Sequence, residues 1–191
     1  MITGATKNKV DDIWQRMWEG GVTNPIEVIM QLTYLMFMKS LDDKELEAEN
    51  MEMLGMTAKH VFPQTEEGQA IRWSRFKDLP AEQMFDVVSQ KAFPFIKTMH
   101  SDNAFAESME DAAFGFNKPK TLEKAVSGID DLLSNYVQDA DDLGDLYEYM
   151  LSKLNTAGNT NDQSSHNDSL RSVSERSGDL VWTIAVHDTA E

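Results

Sequence analysis

"TNPIEVIMQLTYLMFMKSL", Thr23 to Leu41, is the stretch that decides the fold. Asn24 is placed to cap a helix, Pro25 to occupy its first position and Glu27 its third. Proline loses nothing there, because that N–H would have no intrahelical partner anyway. From Ile26 onward, apolar side chains fall on nearly every face. A helix without a polar side belongs in the middle of a bundle, packed on several neighbours. The apolar run Ile26 to Met38 carries Glu27 and Gln31 and falls short of the ~20 residues that a membrane span needs.

Upstream, Val10, Ile13, Trp14, Met17 and Trp18 recur at helical spacing, and Gly20-Gly21 is placed to stop that helix. Downstream, the acidic run "DDKELEAENMEML" (Asp42 to Leu54) reads as a solvated helix or as an extension of the central one. Residues 55–78 form mostly loop, broken by Pro63 and Gly68. A helix restarts at Pro80, with Met84, Phe85, Val88 and Phe93 inward, and Pro94 breaks or kinks it. A shorter helix is expected over "SDNAFAESMEDAAF" (Ser101 to Phe114). Two better-patterned helices follow: one with Leu122, Ala125, Val126, Ile129, Leu132 and Leu133 in its stripe, and one with Leu143, Leu146, Tyr147, Met150, Leu151 and Leu154. Asp141 or Asp142 is expected to cap the last helix and Gly158 to end it. No stretch before Asn155 alternates with period two. The expected fold is all-α, a compact bundle of about six or seven helices over residues 1–157, with a polar, poorly patterned tail over 158–191.

Composition narrows the function. Lys and Arg number 17 against 33 Asp and Glu in 191 residues, a formal net charge of -16, so the chain repels nucleic acid and anionic membranes at long range. Cysteine is absent, which excludes disulfides, thiolate metal sites and a cysteine nucleophile. The N-terminal residues lack the apolar core of a signal peptide, and a cytoplasmic protein without a membrane partner is expected.

Motifs for chemistry are missing. There is no glycine-rich phosphate loop and no nucleophile elbow, and His60, His100, His166 and His187 stand isolated. "DADDLGDLYEYM" (Asp139 to Met150) matches a calcium loop at Asp139, Asp141 and Gly144, but Leu143 and Met150 stand where oxygen ligands are required. Acids complementing a helix N-terminus explain it better. Two clusters remain as candidate contacts. Trp14 and Trp18 share a face that is either core or an aromatic patch for a partner. Arg72, Arg75 and Lys77, interleaved with Trp73 and Phe76, could track a phosphate backbone or meet an acidic surface; otherwise they mark a solvated loop with its aromatics tucked inward.

Three segments resemble the modification (methyltransferase) subunits of type I restriction-modification systems: Lys9 to Asp43, "KVDDIWQRMWEGGVTNPIEVIMQLTYLMFMKSLDD"; Arg72 to Met99, "RWSRFKDLPAEQMFDVVSQKAFPFIKTM"; and Gly144 to Asn161, "GDLYEYMLSKLNTAGNTN". The resemblance covers essentially all of Met1 to Asn161, in order. It implies the helical N-terminal domain of a parent protein that methylates adenine N6 in DNA with S-adenosylmethionine. It further implies a specificity subunit, a restriction subunit and a second modification subunit as partners, with DNA reached through the assembled complex. In the family, that linker leads into motifs like G-Q-F-x-T-P-R, D-P-A-x-G-T-A-G and N-P-P-F, which serve the cofactor and the flipped adenine. Here Asp162-Gln163 stands where Gly-Gln is expected, and "DQSSHNDSLRSVSERSGDLVWTIAVHDTAE" (Asp162 to Glu191) holds none of them. The expectation is a chain without cofactor, metal or catalytic residues of its own, cut by truncation or a frameshift. The alternative from another class is a free-standing acidic helical adaptor that binds proteins.

Overall fold

The structure, a computed structural model, describes residues 2–99, 109 and 111–157. Its helices are α1 (Gly4–Glu19), α2 (Pro25–Met53), the short α3 (Glu66–Ala70) and α4 (Trp73–Phe76), α5 (Ala81–Val87), α6 (Phe93–Thr98), α7 (Pro119–Asn135) and α8 (Ala140–Ala157). A π-helical turn, Val88–Ala92, joins α5 to α6. There is no strand among the described residues, so the all-α expectation holds.

α2 begins as its sequence dictates. The Asn24 side chain accepts the Ile26 N–H at 3.0 Å, and Pro25 opens the helix. Every residue from Val28 to Lys39 is buried. Its neighbours are α4, α7 and α8. Gln31, the polar residue within that run, is satisfied rather than solvated: its amide donates to Ala113 O at 2.9 Å and Glu27 Oε1 at 2.6 Å, and its Oε1 accepts the Gly115 N–H at 3.0 Å. A buried amide without partners would cost about 1–3 kcal/mol. The bonds of Gln31 therefore hold the segment 113–115 to the core. Aromatic rings close the same end: Tyr34 meets Phe93 edge-on at 5.5 Å, and Phe114 packs among Phe85, Phe93 and Phe116.

α1 lies across α7 and α8. Its end forms a full Schellman turn, with Val22 N–H on Met17 O, Gly21 N–H on Trp18 O and Gly21 at φ 100°. α1 and α7 approach so closely that a Cβ on Gly128 would lie 2.6 Å from Ile13 Cγ1. The stripe of α7 is buried as expected from Leu122 to Leu132, with Leu133 packed at its margin.

Four local expectations need correction or qualification. The acidic run after Leu41 is the continuation of α2, which reaches 29 residues, and it is not simply a solvated face: Asp42 and Glu45 are buried. Pro94 does not break its helix. The π turn ahead of it passes the Phe93 N–H to Val88 O, one residue further back than an α-helix would, which opens the backbone where proline cannot donate. The last helix is capped by Asp139, one turn earlier than Asp141 or Asp142: its Oδ1 accepts the Asp142 N–H at 2.8 Å. That use of Asp139 also supplies the dipole role in place of a calcium ligand. Most of the helix expected over 101–114, and the stop at Gly158, lie outside the described residues.

Candidate functional site

The largest concentration of charge chemistry sits where α2 meets the chain returning from Thr57 to Phe76. Asp42, Glu45, Glu49 and Glu52 recur at i, i+3, i+7 and i+10, one stripe of α2. The stripe faces that return segment. Glu45 is fully buried (0% exposed) and accepts the Val61 and Phe62 N–H groups at 2.7 and 3.2 Å, the Gln64 amide at 2.8 Å and His60 Nδ1 at 2.9 Å. Burial works to raise its pKa; the two backbone donors, Gln64 and His60 together outweigh that and hold it below the usual carboxylate range.

His60 is held at both ends, its Nε2 lying 3.0 Å from Glu52 Oε1. An ionised carboxylate only accepts hydrogen bonds, so a ring flanked by two of them donates from both nitrogens and is an imidazolium. Its pKa is raised accordingly, by the hydrogen bonds to Glu45 and Glu52.

Arg72 completes the network. It is 2% exposed, with Nε on Asp42 Oδ1 at 2.6 Å, a fork onto Glu49 at 2.6 and 3.2 Å, and Gln69 Oε1 at 2.8 Å. Burial works against its charge, but the bonds to Glu49 and Asp42 prevail and raise its pKa further. Asp42 also accepts the Ser74 N–H at 2.8 Å. This assembly is a clamp: it folds the return segment onto α2 with every buried charge partnered.

The sequence-derived candidates are therefore not brought together in one place. Arg72 is an interior residue. Lys77 bonds Asp130 at 3.2 Å, and Trp73, buried, donates to the same carboxylate at 2.8 Å. Arg75 is exposed, with no ion pair among the described residues. On α1, Trp14 is half-buried beneath Lys153, whose Nζ sits 5.3 Å from the ring. Lys153 also pairs with Asp11 at 2.6 Å. Tyr149, beside it, donates to Asp11 at 2.8 Å and has its pKa pushed up to about 12, by burial first and by that bond. Trp14 thus belongs to the α1–α8 seam, whereas Trp18, one turn on, is 48% exposed.

A groove between α1, α7 and Leu79 carries Lys9, Arg16, Lys77 and Lys124, but Asp12, Asp78, Glu123 and Asp131 line it as well, which leaves it without a net field for an anion. No group of three metal-ligating side chains occurs among the described residues, and no helix there is long and apolar enough to cross a membrane.

The carboxylate stripe and His60 escape a reading by hydrophobic period, although acids at the spacing of a buried face are themselves a signal. Nothing in the sequence pairs Arg72 with Asp42, 30 positions away.

Comparison with known proteins gives one family. The profile of the HsdM N-terminal domain matches residues 6–129, from the first turn of α1 into the last two turns of α7. No significant match was found among curated proteins or among solved structures. With a central α2, a tightly apposed α1–α7 pair and a match over well more than half its length, the chain belongs to the HsdM N-terminal domain family, the N-terminal domain of the modification subunit of type I restriction-modification systems.

Proposed function

We propose that this domain is the assembly module of a type I modification subunit. It packs beside the catalytic domain of the parent protein and helps two modification subunits close around DNA, in a complex with a specificity subunit and a restriction subunit. The observation that carries this is the family match over residues 6–129.

Physical chemistry supports a division of labour. A chain of net charge -16 is a poor DNA ligand at long range, so attraction to DNA falls to the specificity subunit and the catalytic domain. Of the cationic candidates, Arg72 and Lys77 are engaged internally, and Arg75 alone stands exposed without an ion pair among the described residues. The parent reaction, S-adenosylmethionine-dependent N6 methylation of adenine, is assigned to the catalytic domain. The exposed Trp18 offers α1 an aromatic contact for a neighbouring subunit, the kind of residue that anchors interfaces.

Co-purification with a specificity subunit tests this directly. The full chain is expected to co-elute with it, and Trp18→Ala is expected to weaken that association while leaving the helical circular dichroism and the melting temperature unchanged. Absence of any association would overturn the assembly role and favour a free-standing adaptor. Calorimetric titration with S-adenosylmethionine is expected to give no heat; saturable binding would overturn the division of labour.

A further inference from the structure

The last turns of α2 carry a surface that the fold leaves unused. Met53 is 84% exposed and Leu54 77%, and Leu46 and Met56 are exposed with them. The only other exposed large apolar side chain among the described residues is Trp18, on α1. The stripe Asp42, Glu45, Glu49 and Glu52 faces the return segment, and Leu46, Met53 and Leu54 stand outside it in solvent. Large apolar side chains gathered in this way on a soluble domain mark a contact surface.

The chemistry of the surface selects its occupant. Two of the four residues are methionines, and Met51 beside them is half-buried. Thioether side chains are flexible and polarizable and adapt to differently shaped apolar faces. The rim is acidic: Asp43, Glu47 and Glu52 are exposed, and Glu47 has no ion-pair partner among the described residues. Lys59 is the exposed cation nearby in sequence. An apolar strip with a carboxylate rim matches a helix that is apolar on one side and basic on the other. A second copy of the chain would bring the same acids against these, and an anionic lipid surface would be repelled.

We propose that the tip of α2, formed by Leu46, Met53, Leu54 and Met56, docks a basic amphipathic helix of a partner protein. The partner's apolar residues lie on the methionine and leucine side chains, and its Lys or Arg residues reach Glu47 and Asp43. This is independent of the assembly role, since it requires no methyltransferase complex.

The test uses the full chain with ¹³C-labelled methionine methyls. The probe is a Leu/Lys amphipathic peptide of about 20 residues, long enough to form a helix. Its control is the same peptide with Glu in place of Lys. Met53 and Met56 methyl signals are expected to shift saturably with the Leu/Lys peptide only, while those of the buried Met17 and Met36 stay still. Glu47→Lys and the pair Met53→Ser, Leu54→Ser are each expected to weaken binding about tenfold, the effect of losing a central contact. These positions are exposed, so both variants fold.

Several results would overturn the proposal. Equal affinity in the serine variant would reduce binding to charge alone, and an equal response to the Glu peptide would remove the basic partner. Shifts that follow protein concentration without peptide would make a second copy the occupant. Methyls already shielded from a paramagnetic relaxation agent in the free chain would mean that the chain covers its own patch. No shift at all would end the proposal.

Discussion

Replacing Arg72 by methionine removes the guanidinium and keeps most of the apolar stem, which separates charge from volume. The loss is unequal among its partners. Glu49 is half-buried and turns to solvent, while Asp42, 3% exposed at its side chain, keeps only the Ser74 N–H. Leaving one member of a buried pair without its counter-charge costs about 3–5 kcal/mol. For a domain of this size each kcal/mol moves the melting temperature by about 2–4 °C, so Arg72→Met is expected to lower it by roughly 6–20 °C. Thermal unfolding followed by circular dichroism measures this. Adding Asp42→Asn removes the orphaned charge and should restore at least half of the loss, because a neutral pair in the same space is tolerated better than a lone ion. Arg72→Lys should fall between, holding Asp42 but losing the fork onto Glu49. A melting temperature for Arg72→Met within about 2 °C of the parent, or a double variant no more stable than the single one, would refute the claim that this arginine neutralises Asp42. It would also return Arg72 to the surface, as a residue available to partners.

Two further outcomes follow from the packing and the clamp. Gly128→Ala places a methyl group against Ile13 at the α1–α7 crossing and is expected to destabilise the domain by about 1–3 kcal/mol in chemical denaturation; an unchanged midpoint would show that the helices separate without strain. His60, facing Glu45 and Glu52 on α2 and close to the Gln64 amide, has a folded pKa above its ordinary value. Its contribution is therefore complete below the unfolded pKa and is lost as pH rises through the folded one. Imidazole NMR should give a titration above ~6.5, and His60→Gln should flatten the decline of stability with rising pH; a normal pKa, or a slope unaltered by the substitution, would disprove the imidazolium.

What was legible in the sequence was what repeats locally. Asn24 and Pro25 announced α2, Gly20-Gly21 ended α1, and the stripes of α7 and α8 were spaced as they are buried. What was hidden depends on contacts between distant residues. Arg72 reads as a surface cation beside Arg75 and Lys77, and only the fold-back of residues 57–76 turns it inward onto Asp42. Glu45 reads as solvated because a carboxylate is costly to bury; four donors offset that cost, and none of them lies within a helical turn of it. Trp14 and Trp18 share a stripe, yet α8 ends its cover at the first of them.

α2 is a single rod, ~44 Å long at 1.5 Å per residue over its 29 residues. Two kinds of force hold it. Up to Leu41 it is gripped by close-packed hydrocarbon, which is indifferent to proton activity; from Asp42 onward it is gripped by carboxylates and their donors. A break in the second grip need not reach the first, because each closes around its own neighbours. The far end of the rod, together with the segment folded on it, can thus open as a cooperative unit of its own while the middle stays shut. One continuous helix then gives the domain both a fixed axle and a detachable handle.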